Sequence, residues 1–415
     1  MKKLEPPKTS KPADGVDLIS DMPDAILLLI LSRLPSTEEA IRSSILSRRW
    51  RNLWTAIPSL DLHDGEKSQF KEFVYWVLVK RSVDLDCFRL SSSHLYSMST
   101  VGRWINAAVT RNVKQLELTF YPKNNEYIQI PHCLVTCGSL EVLKLNSNVC
   151  GLRLPKTMGF PSLRVLDLAF VDLLEDADLV KNFLKNCPLL EDLSLSECLI
   201  FKFDLLCISC QKLKKLTIIN FYVGKYDGVL CGGIKISCPK LVDLELRGYI
   251  GHNCFFECLD SLKKALIVPK LEGNNKCVLF PGISSVESLW IDPYFFIECI
   301  NTAACDPVLP NLKTLVLSTT MDAFTFDNFN QILKYYPKLE SLKLVIQQAF
   351  RGSDGTEYGW LDEDETWSIL SNDVKRVEFF EFNGEKPKVV TEWFEDILDI
   401  FFSWGNEARF SNCYW

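Results

Sequence analysis

The sequence predicts an α/β protein: three short helices, then a solenoid of stacked repeats with one curved parallel sheet and helices on the convex side. Two observations carry this. Before residue 60, apolar residues run together in short helical stretches. After it, leucine or a close substitute returns at the first, fourth and sixth positions of a unit that recurs every 21 to 28 residues. With 415 residues and 47% apolar content, the chain can bury a sizeable core.

The chain opens on MKKLEPPKTSKPADG, charged and without an apolar stretch, so residues 1–16 read as a disordered tail and not as a secretory signal. A helical unit follows over residues 17–62. Asp21 is placed to cap a helix whose first turn tolerates Pro23, and Pro35 ends it. Ser36 and Glu39 fit a capping box for a second helix, and a third is expected over Ile45 to Leu53. Helices this short need each other's apolar faces. Yet the run Ile26, Leu27, Leu28, Leu29, Ile30, Leu31 and Leu34 exceeds what one internal face can use, and Trp50 and Trp54 share an expected face with Leu46. The surplus is either a partner surface or core against the next domain; the residues alone leave both open.

The stretch DLISDMPDAILLLILSRLPSTEEAIRSSILSRRWRNLW resembles an F-box of the form common in plants. The matching positions include Met22-Pro23-Asp24, Ile30-Leu31-Ser32, Leu34-Pro35, Leu46-Ser47, Arg49-Trp50 and Leu53-Trp54, with Met22 where Leu is commoner. The resemblance implies that this unit docks on the Skp-type adaptor, and through it on the cullin, of a ubiquitin ligase. It implies a docking set of Met22, Pro23, Ile26, Ile30, Leu31, Leu34, Leu46 and Trp50.

The repeated unit first reads clearly at Leu140-x-x-Leu143-x-Leu145 and returns at Leu163, Leu190, Leu213, Leu241, Val286, Leu312 and Leu339. Earlier copies start at Leu85 and Val113, and a weak copy, Leu262/Ala265/Ile267, fills the one long gap. From 85 to 339 the steps are 28, 27, 23, 27, 23, 28, 21, 24, 26 and 27, the signature of leucine-rich repeats, here over residues 80–346. Each copy should be a short strand with its leucines inward, the chain then returning over the convex side, as in the helical pattern from about Asp178 to Lys185. The outward residues form a concave face, the usual binding surface of a solenoid. In the centre of the strands that face should carry Glu117, Lys144, Asp167, Ser194, Thr217, Glu245, Trp290, Val316 and Lys343, mixed in sign. Glu245, Arg247, Trp290, Asp292 and Lys343 are the expected target-binding residues, with Tyr294 and Phe295 beside Trp290.

Residues 347–368 break the period and read as an acidic loop. The segment 369–400 reads as strand, turn and helix, and resembles the start of the FBD module that follows the repeats in many plant F-box proteins. Residues 401–415 match no pattern, and the strand expected there is missing. From Phe350 onward 15 acidic residues face 6 basic ones.

Several function classes lose support. The net charge of −7, with no basic cluster, argues against a nucleic-acid partner. No apolar run reaches bilayer length, so no membrane partner is expected. Sixteen cysteines without a signal segment point to reduced thiols and a place in the cytoplasm and/or nucleus. Cys207-x-x-Cys210 has no second pair at zinc spacing, and Cys231, Cys238, His252, Cys254 and Cys258 suit packing better than metal. No nucleophile, base or phosphate-loop motif stands out, and neither cofactor nor metal is expected. The expectation is a non-catalytic substrate-recognition subunit of an SCF-type (Skp–cullin–F-box) ubiquitin ligase, its repeats holding an unknown target protein. The alternatives are a scaffold outside any ligase, or a small-molecule receptor.

Overall fold

The computed structural model describes residues 19, 22–65, 69–155, 159–173, 177–198, 204–221, 233–249, 253–269, 276–303, 307–320, parts of 332–347, and 376–381 and 407–412. The expected tail 1–16, Asp21, the acidic loop and most of the FBD-like segment lie outside the described residues.

The N-terminal helices are α1 (Asp24–Ser32) and α2 (Thr37–Arg42), followed by 3-10 turns at Ser43–Ile45 and Trp50–Ala56. Pro23 is the N-cap of α1. At α2 the Ser36 hydroxyl accepts from the Glu39 N–H at 3.4 Å, the forward half of the capping box. The single third helix expected over Ile45 to Leu53 is absent, and the physical reason lies in Arg49. Its guanidinium reaches back to the Asp24 carboxylate at 2.6 and 2.9 Å and to the Met22 carbonyl, which pulls the chain out of helical register. Leu46 and Trp50 consequently do not share a face: Leu46 is exposed and Trp50 is buried.

The strands before the middle of the chain are β1 (Ser59–His63), β2 (Cys87–Tyr96), β3 (Gln115–Pro122), β4 (Ile128–Gln129), β5 (Val142–Arg153), β6 (Val165–Leu173), β7 (Asp192–Ser196), β8 (Leu206–Ile208) and β9 (Lys215–Asn220). Then come β10 (Gly233–Ser237), β11 (Asp243–Gly248), β12 (Asn253–Glu257), β13 (Lys264–Pro269), β14 (Lys276–Val278), β15 (Ser288–Ile291), β16 (Thr314–Thr320), β17 (Ser341–Gln347), β18 (Arg376–Glu381) and β19 (Glu407–Asn412). The main sheet is parallel and runs β1-β2-β3-β5-β6-β7-β9-β11-β13-β15-β16-β17-β18-β19. Its register does not slip across repeats: Leu60, Phe88, Leu116, Leu143, Leu166, Leu193, Leu216, Leu244, Ala265, Leu289, Leu315 and Leu342 stand side by side, all buried.

Three features differ from expectation. The ladder starts one copy earlier: Ile57, Leu60 and Leu62 fit the same spacing, 28 residues before Leu85, so the helical unit feeds straight into the sheet. The ladder also continues past residue 346, because β18 and β19 pair in parallel beyond β17; residues 407–412, expected to be part of an unassigned tail, add a strand. Finally, the convex side is not helical throughout. It carries α3 (Phe70–Lys80), α4 (Met98–Val109), α5 (His132–Val135), α6 (Ala177–Lys185) and α7 (Pro293–Ala303), but between α6 and α7 a second parallel sheet, β8-β10-β12-β14, takes their place. Two of the repeats there are the shortest, 21 and 24 residues, and a strand advances about 3.3 Å per residue against 1.5 Å for a helix. Their sequences alternate accordingly, with Leu206, Ile208, Ile234, Ile236, Cys254 and Phe256 inward and buried.

Stacking brings backbones close. Gly248 ends β11 with φ +75°, and a Cβ there would lie 2.1 Å from the Asn220 carbonyl oxygen of the neighbouring repeat. Gly248→Ala should therefore destabilise the solenoid by about 1–3 kcal/mol, read as a lower melting temperature.

After β1 the chain is fixed by a carboxylate. Asp64 is buried, and its Oδ2 accepts from the Ser92 hydroxyl at 2.5 Å, the Ser93 N–H at 2.7 Å, the His94 N–H at 3.1 Å and His94 Nδ1 at 2.7 Å. Burial pushes the carboxyl's pKa up, but these donors outweigh it and bring the value to about 2. A pKa below that of the unfolded chain means stability present above pH ~4 and lost as pH falls toward 2. Asp64→Asn should cost about 1–2 kcal/mol at neutral pH, with the gap from wild type closing as melts are repeated at falling pH.

Candidate functional site

Two surfaces face outward without being consumed by the fold. The first lies on the helical unit. Leu27 and Leu31 of α1, Ala40 of α2, and Trp50 and Trp54 form its core. Of the eight residues expected to dock a partner, Leu31 and Trp50 are thus core, 2% and 6% exposed. Leu34 and Met22 are half-buried against that core. Pro23, Ile26, Ile30 and Leu46 are exposed, Ile30 by 42% and Leu46 by 64%. Leu29 and Ile45 join them, the latter 89% exposed. Sequence reasoning did not select this pair, although Leu29 stood in the surplus apolar run; the break after Ile45 is what turns that side chain out. The Arg49–Asp24 pair clamps the third segment to the start of α1 and holds the flank rigid.

The second surface is the concave face. The unslipped register sets its central residues in one row: Asp61, Arg89, Glu117, Lys144, Asp167, Ser194, Thr217, Glu245, Leu266, Trp290, Val316 and Lys343. The two ends of that row differ. Toward the N-terminus the charges alternate and satisfy one another. Arg89 holds Asp61 and Glu117 at 3.0 Å each, and Lys144 lies 3.4 Å from Glu117. Burial raises the Glu117 pKa, but Arg89 and Lys144 together hold it below the usual carboxylate range. Asp167 is pushed up by burial against its Ser194 hydrogen bond.

Toward the C-terminus the row turns apolar: Leu266, Trp290 and Val316 sit on adjacent strands. Arg247 pairs with Glu245 at 2.7 Å and places its guanidinium 5.9 Å from the centre of the Trp290 ring. The structure therefore brings Glu245, Arg247 and Trp290 together. Lys343 stands two strands further along the same row. Asp292 has a different role: its carboxylate accepts from the Phe295 N–H at 3.0 Å at the start of α7. Phe295 is buried core, while Tyr294 is exposed.

The cysteines line the repeat interior. All twelve described are free thiols; burial pushes Cys187 up to about 11 and Cys198 and Cys210 up to about 12, so these three stay protonated. Cys238 and Cys254 are buried and Cys258 is exposed, while Cys231 and His252 lie outside the described residues. Among the described residues no group of three metal-ligating side chains comes together, and no helix is long and apolar enough to cross a membrane.

Comparison with known families accounts for both surfaces. The F-box domain matches residues 19–61, and the family described as "At1g61320/AtMIF1, LRR domain" matches residues 78–397. Among curated proteins of Arabidopsis thaliana, F-box/FBD/LRR-repeat protein At3g52680 is 34% identical over 95% of this chain and 81% of its own length. F-box/FBD/LRR-repeat protein At5g56420 is 31% identical over 83% and 80%, and F-box/LRR-repeat protein 13 is 32% identical over 58% and 54%. The chain spans about half the length of the last. The fold and these matches define an F-box protein of the SCF type with a leucine-rich-repeat body. The chain belongs to the F-box/leucine-rich-repeat family of which these plant proteins are members.

Proposed function

We propose that this chain is a substrate-recognition subunit of an SCF-type ubiquitin ligase. The F-box docks the Skp-type adaptor, and through it the cullin, while the repeats hold a target protein. The observation that carries the reading is the apolar flank left open on the F-box. Ile26, Leu29, Ile30, Ile45 and Leu46 stay in water although Leu27, Leu31 and Trp50 beside them fill a closed core. The chain contributes no reacting group of its own; it raises the effective concentration of the target near the conjugating enzyme. Its free, protonated thiols suit the reducing cytoplasm or nucleus.

Ile30→Asp should abolish co-purification with a purified Skp-type adaptor while the melting temperature stays within a few degrees of wild type. Leu31→Asp should unfold the unit instead, because it buries a charge. Equal binding by Ile30→Asp and wild type would refute the docking role, and a scaffold outside any ligase would then be the better reading.

The target side is assigned to the apolar end of the concave row. Ligands at the N-terminal end would have to displace ion pairs already made, whereas Leu266, Trp290 and Val316 offer apolar surface with nothing to break. With the proteasome blocked, Trp290→Ala should lose targets that wild type retains in affinity purification, and Arg89→Ala should keep them. A small-molecule receptor would instead show a ligand-dependent thermal shift that Trp290→Ala abolishes.

A further inference from the structure

We infer that the adaptor contact extends beyond the F-box onto the outer face of α3, the convex helix of the first repeat. This rests on the docking role proposed above.

The convex helices of a solenoid turn one face to the core and one to water, and the outer faces here are polar in α4 and α6. The exposed positions of α4 are Ser99, Arg103 and Asn106, and those of α6 include Lys181, Asn182 and Lys185. Helix α3 departs from this rule. Phe70, Val74, Val77 and Leu78 face the core, yet Tyr75, Trp76 and Val79 are 51%, 42% and 52% exposed on the opposite side, with Val83 exposed just past the helix end. Tyr75 and Val79, four apart, form one stripe with Trp76 at its edge. A tryptophan and a tyrosine held together in water have the composition of an interface and not of a solvated face.

What seats a partner there is continuity with the F-box. The Trp76 ring stacks on Trp54, centroids 5.1 Å apart, and Trp54 belongs to the same turn as Trp50. The joint is locked on both sides. The Thr55 and Ser82 hydroxyls are 3.1 Å apart, the Ser82 N–H donates to the Thr55 carbonyl, and the buried Arg81 guanidinium donates to the Ile57 carbonyl. Thus α3 moves with the F-box as one body, and its apolar stripe prolongs the flank that starts at Ile30 and Leu46. The occupant argued for is the adaptor that seats on that flank, reaching one helix further along a rigid surface.

The test uses the full chain, purified Skp-type adaptor and calorimetric titration, with folding checked by circular dichroism and melting. Val79→Asp should weaken the adaptor about tenfold, and Tyr75→Ser, which keeps an uncharged residue, several-fold. Ile30→Asp is the reference and should lose binding altogether. If Ile30→Asp loses binding but Val79→Asp and Tyr75→Ser bind as wild type, the extension onto α3 is overturned and F-box docking stands. If Ile30→Asp also binds as wild type, both readings fall. If Val79→Asp leaves the adaptor affinity unchanged but turns a dimer into a monomer in sedimentation, the stripe belongs to a second copy of this chain.

Discussion

The structure depends on parallel pairing of strands that are too short to stand alone. Each contributes two or three inward apolar residues, and only a neighbour on either side can cover them. Because the rows never slip between Leu60 and Leu342, the inward residues make one continuous core and the outward ones make straight lines across the concave face. A shift of one residue in any copy would turn its leucines to solvent and its charges into the core. The constraint explains the tight approach at Gly248, where the chain turns left-handed against the Asn220 carbonyl with no room for a side chain.

The same register makes the surface legible as chemistry. Alternation of sign along Asp61, Arg89, Glu117 and Lys144 is possible only because those positions are level; each cation then serves two carboxylates or leans on one. Exposed pairs of this kind add little stability, typically under about 1 kcal/mol each, but they occupy the surface. Where the alternation stops, at Leu266, Trp290 and Val316, nothing in the row competes with a partner for hydrogen bonds.

At the other end, the F-box is fastened to the solenoid instead of tethered to it. The Thr37 hydroxyl accepts from the Asp61 N–H at 2.7 Å, Trp54 stacks on Trp76, and Arg81 reaches the Ile57 carbonyl. For a ligase subunit this rigidity has a consequence: the distance between adaptor and target is set by the fold, so the proximity effect does not depend on a flexible linker finding its range.

The sequence by itself determined the class of fold, because period carries that information locally. A leucine spacing of 21 to 28 residues specifies a solenoid whatever the contacts, and Ser36-x-x-Glu39 specifies a helix start. It also located the concave residues, since alternation along a strand assigns their side. What only the tertiary structure decided was which apolar residues are surplus. In an unbroken run such as Ile26 to Leu31, every residue satisfies the same local pattern. The choice of Leu31 and Trp50 as core and Ile30, Ile45 and Leu46 as surface was made by Arg49, which reaches back to Met22 and Asp24 and breaks the third helix. The convex sheet was likewise hidden in repeat lengths that become informative only once the concave strands fix both ends of each span. Contacts of this range leave no periodic trace in the chain, so the packing alone could select among residues of equal hydrophobicity.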